Sequence, residues 1–170
     1  MKKILVFKND RNEVRRKLPV EIVLDNIRSA YNVGSIIRSC DALGCRKIHF
    51  LGITPYVNNE KVLKTSKGAE NFIETQQWLD KVELLNHLKQ EGFYIYSLEL
   101  TNKSKEINTV ELKFPCVWIL GHEIVGVSEV FLENSNEIVE IPMLGIKNSL
   151  NVSVATGIVL YETYSQYMRK

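Results

Sequence analysis

Three short polar clusters in this chain have residue types and spacing suited to chemistry on a polyanion and a neutral polar ligand. The first is Asn32-Val33-Gly34-Ser35-Ile36-Ile37-Arg38. Asn32 suits a helix N-cap, because its side chain can accept an amide hydrogen from the first turn. Arg38 lies off the apolar stripe Val33–Ile37–Cys40, so packing does not demand its burial, and its planar fork suits a phosphate. On spacing alone the cluster reads first as a capped helix with one surface arginine. The second cluster is Leu120-Gly121-His122-Glu123, with Gly126 and Ser128 behind it. Gly121 directly after an apolar strand lets a ligand approach the backbone closely. Glu123 then stands at the sheet edge, and His122, a lone histidine in a loop, reads first as a surface residue. The third runs from Ile141-Pro142-Met143 through Lys147 to Ser149-Leu150-Asn151-Val152-Ser153. Ser149, Asn151 and Ser153 serve equally as helix caps or as the lining of a pocket for an adenine or a ribose.

Several common machines are missing. No GxGxxG follows the first strand, and there is no GxxxxGK[ST] loop, no HExxH and no GxSxG. Cys40, Cys45 and His49 fall short of the four ligands of structural zinc, and no CxxC is present, so no metal is expected.

The elements that must carry these clusters alternate. Glu21–Leu24 reads as a strand, followed by a helix over about Val33–Leu43 that Gly44 closes. Lys47–Leu51 is the next strand, and the pattern from Asn58 to Thr75 is mixed. Trp78–Gln90 reads as a helix. Tyr94–Leu98, Cys116–Leu120 and Ile138–Ile141 read as strands, and Val152–Met168 as a closing helix. Helices between strands predict a parallel sheet with covered faces, the α/β class. All three polar clusters then fall at C-terminal strand ends, where open α/β sheets bind ligands. The last helix is apolar on two sides, with Val152, Ala155, Thr156, Val159 and Tyr167 on one and Val154, Ile158, Tyr161 and Met168 on the other. A helix apolar on two sides is buried on two sides. A second copy of the chain is the economical cover for the outer side, so a homodimer is expected.

At 170 residues the chain fits a single domain spanning 1–170, with 1–19 as a basic N-terminal extension. Its 45% hydrophobic and 25% charged composition excludes a disordered tail, a collagen-like repeat and a disulfide-stapled miniprotein. Three cysteines, an odd number, argue against a secreted disulfide framework. No apolar run is long enough for a signal peptide or a membrane span, so a cytoplasmic protein with no membrane partner is expected. The net charge of +2 hides an asymmetry: Met1–Lys17 holds seven basic and two acidic residues. Such a patch suits a polyanion, or is an ordinary solvated terminus.

In order and combination, LDNIRSAYNVGSIIRSCDALG, KTSKGAE, ILGHEIVGVSE and IPMLGIKNSLNVSVATGIVLYE resemble the SpoU branch of the SPOUT methyltransferases, RNA enzymes that methylate ribose 2′-oxygens. The match runs from about Leu24 to Tyr161, and it overrides the surface-arginine reading of Arg38. The resemblance implies a parallel-sheet SPOUT fold with a C-terminal trefoil knot, a homodimer with the site near its interface, and S-adenosyl-L-methionine as cofactor. By motif, Leu98, Gly121, Ile141, Met143 and Leu150 would hold that cofactor, and Asn32, Arg38, Glu123, Ser149 and Asn151 would be the polar active-site residues. Larger relatives carry an N-terminal substrate domain; here the basic stretch would stand in for it. RNA, transfer or ribosomal, would be gripped by Lys3, Arg11, Arg15, Arg16, Arg28, Lys64 and Lys67. A catalytically silent RNA-binding module and a base-nitrogen methyltransferase are the alternatives.

For methyl transfer to a hydroxyl, the protein must align oxygen, carbon and sulfur and improve the nucleophile. Arg38 is expected to grip the phosphate beside the ribose and stabilise charge on its oxygen, because a guanidinium essentially keeps its proton. Asn32 is expected to orient Arg38 or the ribose, Ser149 and Asn151 to shape the pocket, and Glu123 to brace Arg38 or the neighbouring loops.

Overall fold

A computed structural model describes residues 17–170; the RNA-contact candidates Lys3, Arg11, Arg15 and Arg16 lie outside the described residues. Seven strands form one sheet in the order β3-β2-β1-β6-β4-β7-β5, comprising β1 (Val20–Asp25), β2 (Lys47–Leu51), β3 (Glu74–Trp78), β4 (Tyr94–Leu98), β5 (Lys105–Glu106), β6 (Cys116–Gly121) and β7 (Glu137–Glu140). Every pairing is parallel. The helices are α1 (Ala30–Ala42), α2 (Glu60–Ser66), α3 (Lys81–Gln90), α4 (Glu129–Asn134) and α5 (Val152–Met168).

Alternation along the central strands builds two cores. Ile22 and Leu24 of β1, Trp118 and Leu120 of β6 and Tyr96 of β4 face α1 and α5. Val23, Val117, Ile119 and Ile95 face the opposite way, toward Leu84 and Leu88 of α3 and Phe131 of α4. The sheet is therefore covered on both faces, as parallel sheets require. Each fully buried Ile or Leu contributes about 1.5–3 kcal/mol. Where α5 crosses β6, Thr163 meets the Trp118 indole N–H at 3.0 Å, so the polar groups under the helix are paired.

Several boundaries differ from the sequence reading. α1 starts at Ala30 because Ser29, rather than Asn32, is the cap: the Ser29 hydroxyl accepts the Asn32 backbone N–H. α3 starts at Lys81 because Asp80 accepts the N–H groups of Val82 and Glu83, which leaves Trp78 in β3. β3 is an edge strand of mostly polar residues, so it lacks a readable alternation. β7 ends at Glu140, one residue short of Ile141.

Gly34 explains how closely α1 and α2 pack: a Cβ there would sit 2.0 Å from Thr65 Oγ1 and 2.3 Å from the Val62 carbonyl oxygen. Cys40 and Cys45 are buried free thiols, and among the described residues no three His, Cys, Asp or Glu side chains group as metal ligands. Among them, too, no helix is long and apolar enough to cross a membrane.

His49 is wholly buried and serves structure. Its Nδ1 accepts the Trp78 indole N–H at 3.0 Å, so Nε2 carries the proton and donates to Glu21 at 2.7 Å. Burial pushes the imidazole below its usual range and outweighs the raising effect of Glu21. Glu21 is pushed up by burial, but the contacts with His49 and Arg46 outweigh this and hold it below the usual carboxylate range. Both groups bind protons less readily folded than unfolded, so both lose stabilisation on acidification. Stability is expected to fall first below pH ~6.5, where unfolded histidine protonates, and again below ~4.3, where unfolded glutamate does. Urea midpoints against pH check this; His49→Gln should flatten the first phase and leave the second.

Candidate active site

The C-terminal ends of β1, β6, β4 and β7 lie side by side. Leu24 pairs with Leu120, Leu120 with Leu98, and Leu98 with Val139. This register places Leu98, Gly121 and Ile141 on one edge, at the point where the strand order turns back on itself. Such switch points are where open α/β sheets take ligands.

Beyond β7 the chain from Ile141 to Leu150 has no regular structure and makes no hydrogen bond or ion pair with the described residues. Ile141 packs against the core and Met143 is half-buried, while Leu144 and Ile146 are fully exposed and Leu150 partly so. This strand edge is the crevice of the open sheet, and the segment leaving it presents half-exposed apolar side chains and backbone donors and acceptors that no described residue pairs. That donor set fits the adenosine part of S-adenosylmethionine, an aromatic ring and a ribose bearing neutral polar groups.

Beside the crevice, a hydrogen-bonded chain joins three sequence-distant segments. Glu123 accepts the backbone N–H groups of Arg28 and Ser29, both at 3.0 Å, and the Asn32 Nδ2–H at 3.1 Å. Asn32 Oδ1 accepts from Asn151 Nδ2 at 3.1 Å. Asn151 in turn caps α5, its Oδ1 accepting the Ser153 N–H at 2.9 Å and the Ser153 hydroxyl at 2.7 Å. Partial burial pushes the Glu123 carboxyl up. The hydrogen bonds from Arg28, Ser29 and Asn32 outweigh that and hold it below the usual range. Glu123 is therefore an ionised brace, poorly suited to act as a base. It holds the entry to α1 and not Arg38. Ser149 is exposed nearby in the chain, outside this network.

Arg38 faces elsewhere. Six residues beyond Asn32, it is turned by ~240° around α1 at ~100° per residue. It lines a shallow cleft of about 450 Å³ between α1 and α2, with Ser35, Ser39, Lys64, Thr65 and Lys67. Arg38, Lys64 and Lys67 have no carboxylate partner among the described residues. A cleft with three cations that no carboxylate of the described residues pairs fits a phosphodiester backbone. Arg28 exposes its side chain at the start of α1 while its N–H serves Glu123. One chain thus brings Asn32, Glu123 and Asn151 together beside Leu98, Gly121 and Ile141, and holds Arg38, Lys64 and Lys67 apart as a second group.

The motif reading passed over Ser29, Asp25 and Glu99. Ser29 was legible as a capping residue ahead of the helical pattern. Asp25 and Glu99 follow directly on apolar strands, and only the position marks them.

Residues 19–161 match the family model described as the SpoU rRNA Methylase family. The chain is 31% identical over 155 residues to the Thermus thermophilus tRNA (guanosine(18)-2′-O)-methyltransferase, covering 91% of this chain and 79% of that protein. It superposes on the crystal structure of the A. aeolicus TrmH/SpoU tRNA modifying enzyme with a TM-score of 0.79 and 30% identity, over 91% and 78% of the two chains. It superposes on the SpoU methyltransferase AviRb from Streptomyces viridochromogenes, in complex with the cofactor AdoMet, with a TM-score of 0.83 and 25% identity, over 95% of this chain and 65% of the other. With the motif-bearing strand ends, the 121–128 loop and the start of α5 all inside the matched residues, the chain belongs to the SpoU rRNA Methylase family.

Proposed function

We propose that this protein is an S-adenosylmethionine-dependent RNA 2′-O-ribose methyltransferase acting in the cytoplasm on transfer or ribosomal RNA. The observation that carries this is the Glu123–Asn32–Asn151 chain, which ties three family motifs together at the edge where the donor crevice opens. Leu98, Gly121, Ile141, Met143 and Leu150 would hold the donor, which supplies a methyl group already activated on a sulfonium. The chain's own residues do the rest. Asn32, with its amide oriented from both sides, fixes the wall against which the ribose rests. Ser149 and Asn151 shape the pocket. Arg38 grips the phosphate beside the target ribose and stabilises negative charge growing on its oxygen; it keeps its own proton throughout.

Arg38 and the crevice belong to one site only if a second chain brings them together. The outer stripe of α5 supports this: Val154, Ile158, Tyr161 and Met168 are exposed, Tyr161 by 62%, on a helix whose inner side buries Ala155, Thr156, Val159 and Leu160. Exposed apolar stripes of this kind mark association surfaces. A homodimer through α5 is therefore included in the proposal. So is the family's trefoil knot, for which the insertion of β6 between β1 and β4 and the return of α5 across β6 give support.

Transfer of tritiated methyl to RNA tests the activity. Label that survives alkali in dinucleotides is expected, because a 2′-O-methyl blocks cleavage at that nucleotide. Label in mononucleotides would make the enzyme a base methylase, and binding without transfer would make it a silent module. Affinity for RNA should rest on phosphate contacts by Arg28, Lys64 and Lys67, together with Arg11, Arg15 and Arg16. It should therefore fall steeply with salt, and Lys64→Ala/Lys67→Ala should lower the log–log salt slope by about 2. An unchanged slope would remove both lysines from the contact set.

A further inference from the structure

The loop from Gly121 to Ser128 leaves β6 beside the donor crevice and carries Glu123. Its far end is held by two carboxylates. Asp25, the last residue of β1, is 1% exposed. Its Oδ2 accepts the Ser128 backbone N–H at 2.7 Å, and its Oδ1 accepts the Asn26 Nδ2–H at 2.8 Å. Glu99, the first residue past β4, accepts the Val127 N–H through Oε2 and the Leu100 N–H through Oε1, both at 3.0 Å. β1 and β4 flank β6 on either side, so two successive loop amides are gripped from opposite neighbours.

The loop has no slack between these grips. His122 and Gly126 exchange backbone hydrogen bonds at 3.1 and 2.9 Å. A Cβ on Gly121 would meet the Gly126 carbonyl carbon at 2.2 Å, and one on Gly126, whose φ is +75°, would meet Glu99 Oε2 at 2.2 Å. A shift of the Glu99 carboxylate therefore moves the loop against Gly121, and Leu98 stands one residue from Glu99.

We infer that Asp25 and Glu99 are positioning residues of the donor crevice, acting on S-adenosylmethionine only through the loop whose Ser128 and Val127 amides they hold. The inference rests on the proposed reading of the crevice. Each carboxylate uses both oxygens, one per N–H group. The isosteric amide keeps one of these bonds and turns an NH₂ toward the other donor, whereas alanine loses both.

Calorimetric titration of the full chain with S-adenosyl-L-methionine, in parallel with thermal melting, tests it. Glu99→Ala and Asp25→Ala should each weaken donor binding about tenfold or more, with Glu99→Gln and Asp25→Asn between alanine and wild type. In turnover the loss should fall on KM for the donor more than on kcat. The double variant should lose less than the product of the singles, since both act on one loop. Wild-type donor affinity with unaltered affinity in the variants, even with a lowered Tm, would overturn the inference alone. A wild-type chain without donor affinity would overturn the crevice reading, and the inference with it.

Discussion

Arg38→Lys is expected to lower kcat for RNA methylation by about 10²- to 10³-fold, with donor affinity unchanged. The substitution keeps a positive charge and removes the planar fork, so it separates two roles. Lysine can still attract a phosphate as a point charge, but it cannot hold that phosphate bidentately while stabilising a neighbouring oxygen. Nothing structural confounds the result: Arg38 is exposed, off the buried stripe of α1, and without a carboxylate partner among the described residues. Single-turnover rates at saturating RNA check it. A variant at near wild-type rate would refute the positioning role.

On the proposed homodimer through α5, Ile158→Glu is expected to leave the fold intact, separate the two chains and reduce methylation by more than about 100-fold. Ile158 sits on the outer stripe of α5, while Val159 and Leu160 beside it are fully buried and hold the helix to the sheet. In a two-fold interface each patch meets its own copy, so the new carboxylates would be buried close to one another. Desolvating an unpaired charge costs several kcal/mol, enough to dissociate a dimer at micromolar concentration. Activity should follow, because within one chain Arg38 opens onto the α1–α2 cleft and away from the Asn32–Glu123–Asn151 network. Sedimentation and circular dichroism, read beside methyl transfer, check fold, assembly and activity together. A fully active monomer would show that one chain is enough.

The helical and strand periods were legible wherever an element has a consistently apolar face. β1, β2, β4 and β6 came within a residue of their bounds, and α5 has the bounds its pattern predicts. β3 and β5 were not legible: an edge strand such as Glu74–Trp78 is mostly polar, and a two-residue strand such as Lys105–Glu106 has no period at all. In the site, the motif residues Asn32, Glu123 and Asn151 were legible as polar residues at strand and helix ends, but their mutual bonding was not, since more than ninety residues separate Asn32 from Glu123. The direction of Arg38 was also hidden. Spacing showed that it leaves the buried stripe, and only the packing of α2 on Gly34 shows what it faces instead. Asp25 and Glu99 escaped notice because a carboxylate at a strand end is ordinary until its acceptor oxygens are matched to particular amides.

The central claim is that one arginine and one methyl donor converge on a single sugar oxygen. The most direct measurement is a crystal structure of the full chain with S-adenosylhomocysteine and a short RNA. The account predicts a donor sulfur beside Leu98, Gly121 and Ile141 of one chain, with the Arg38 guanidinium of a second copy hydrogen-bonded to the phosphate of the ribose that faces it. Arg38 remote from that ribose in every copy would contradict the account.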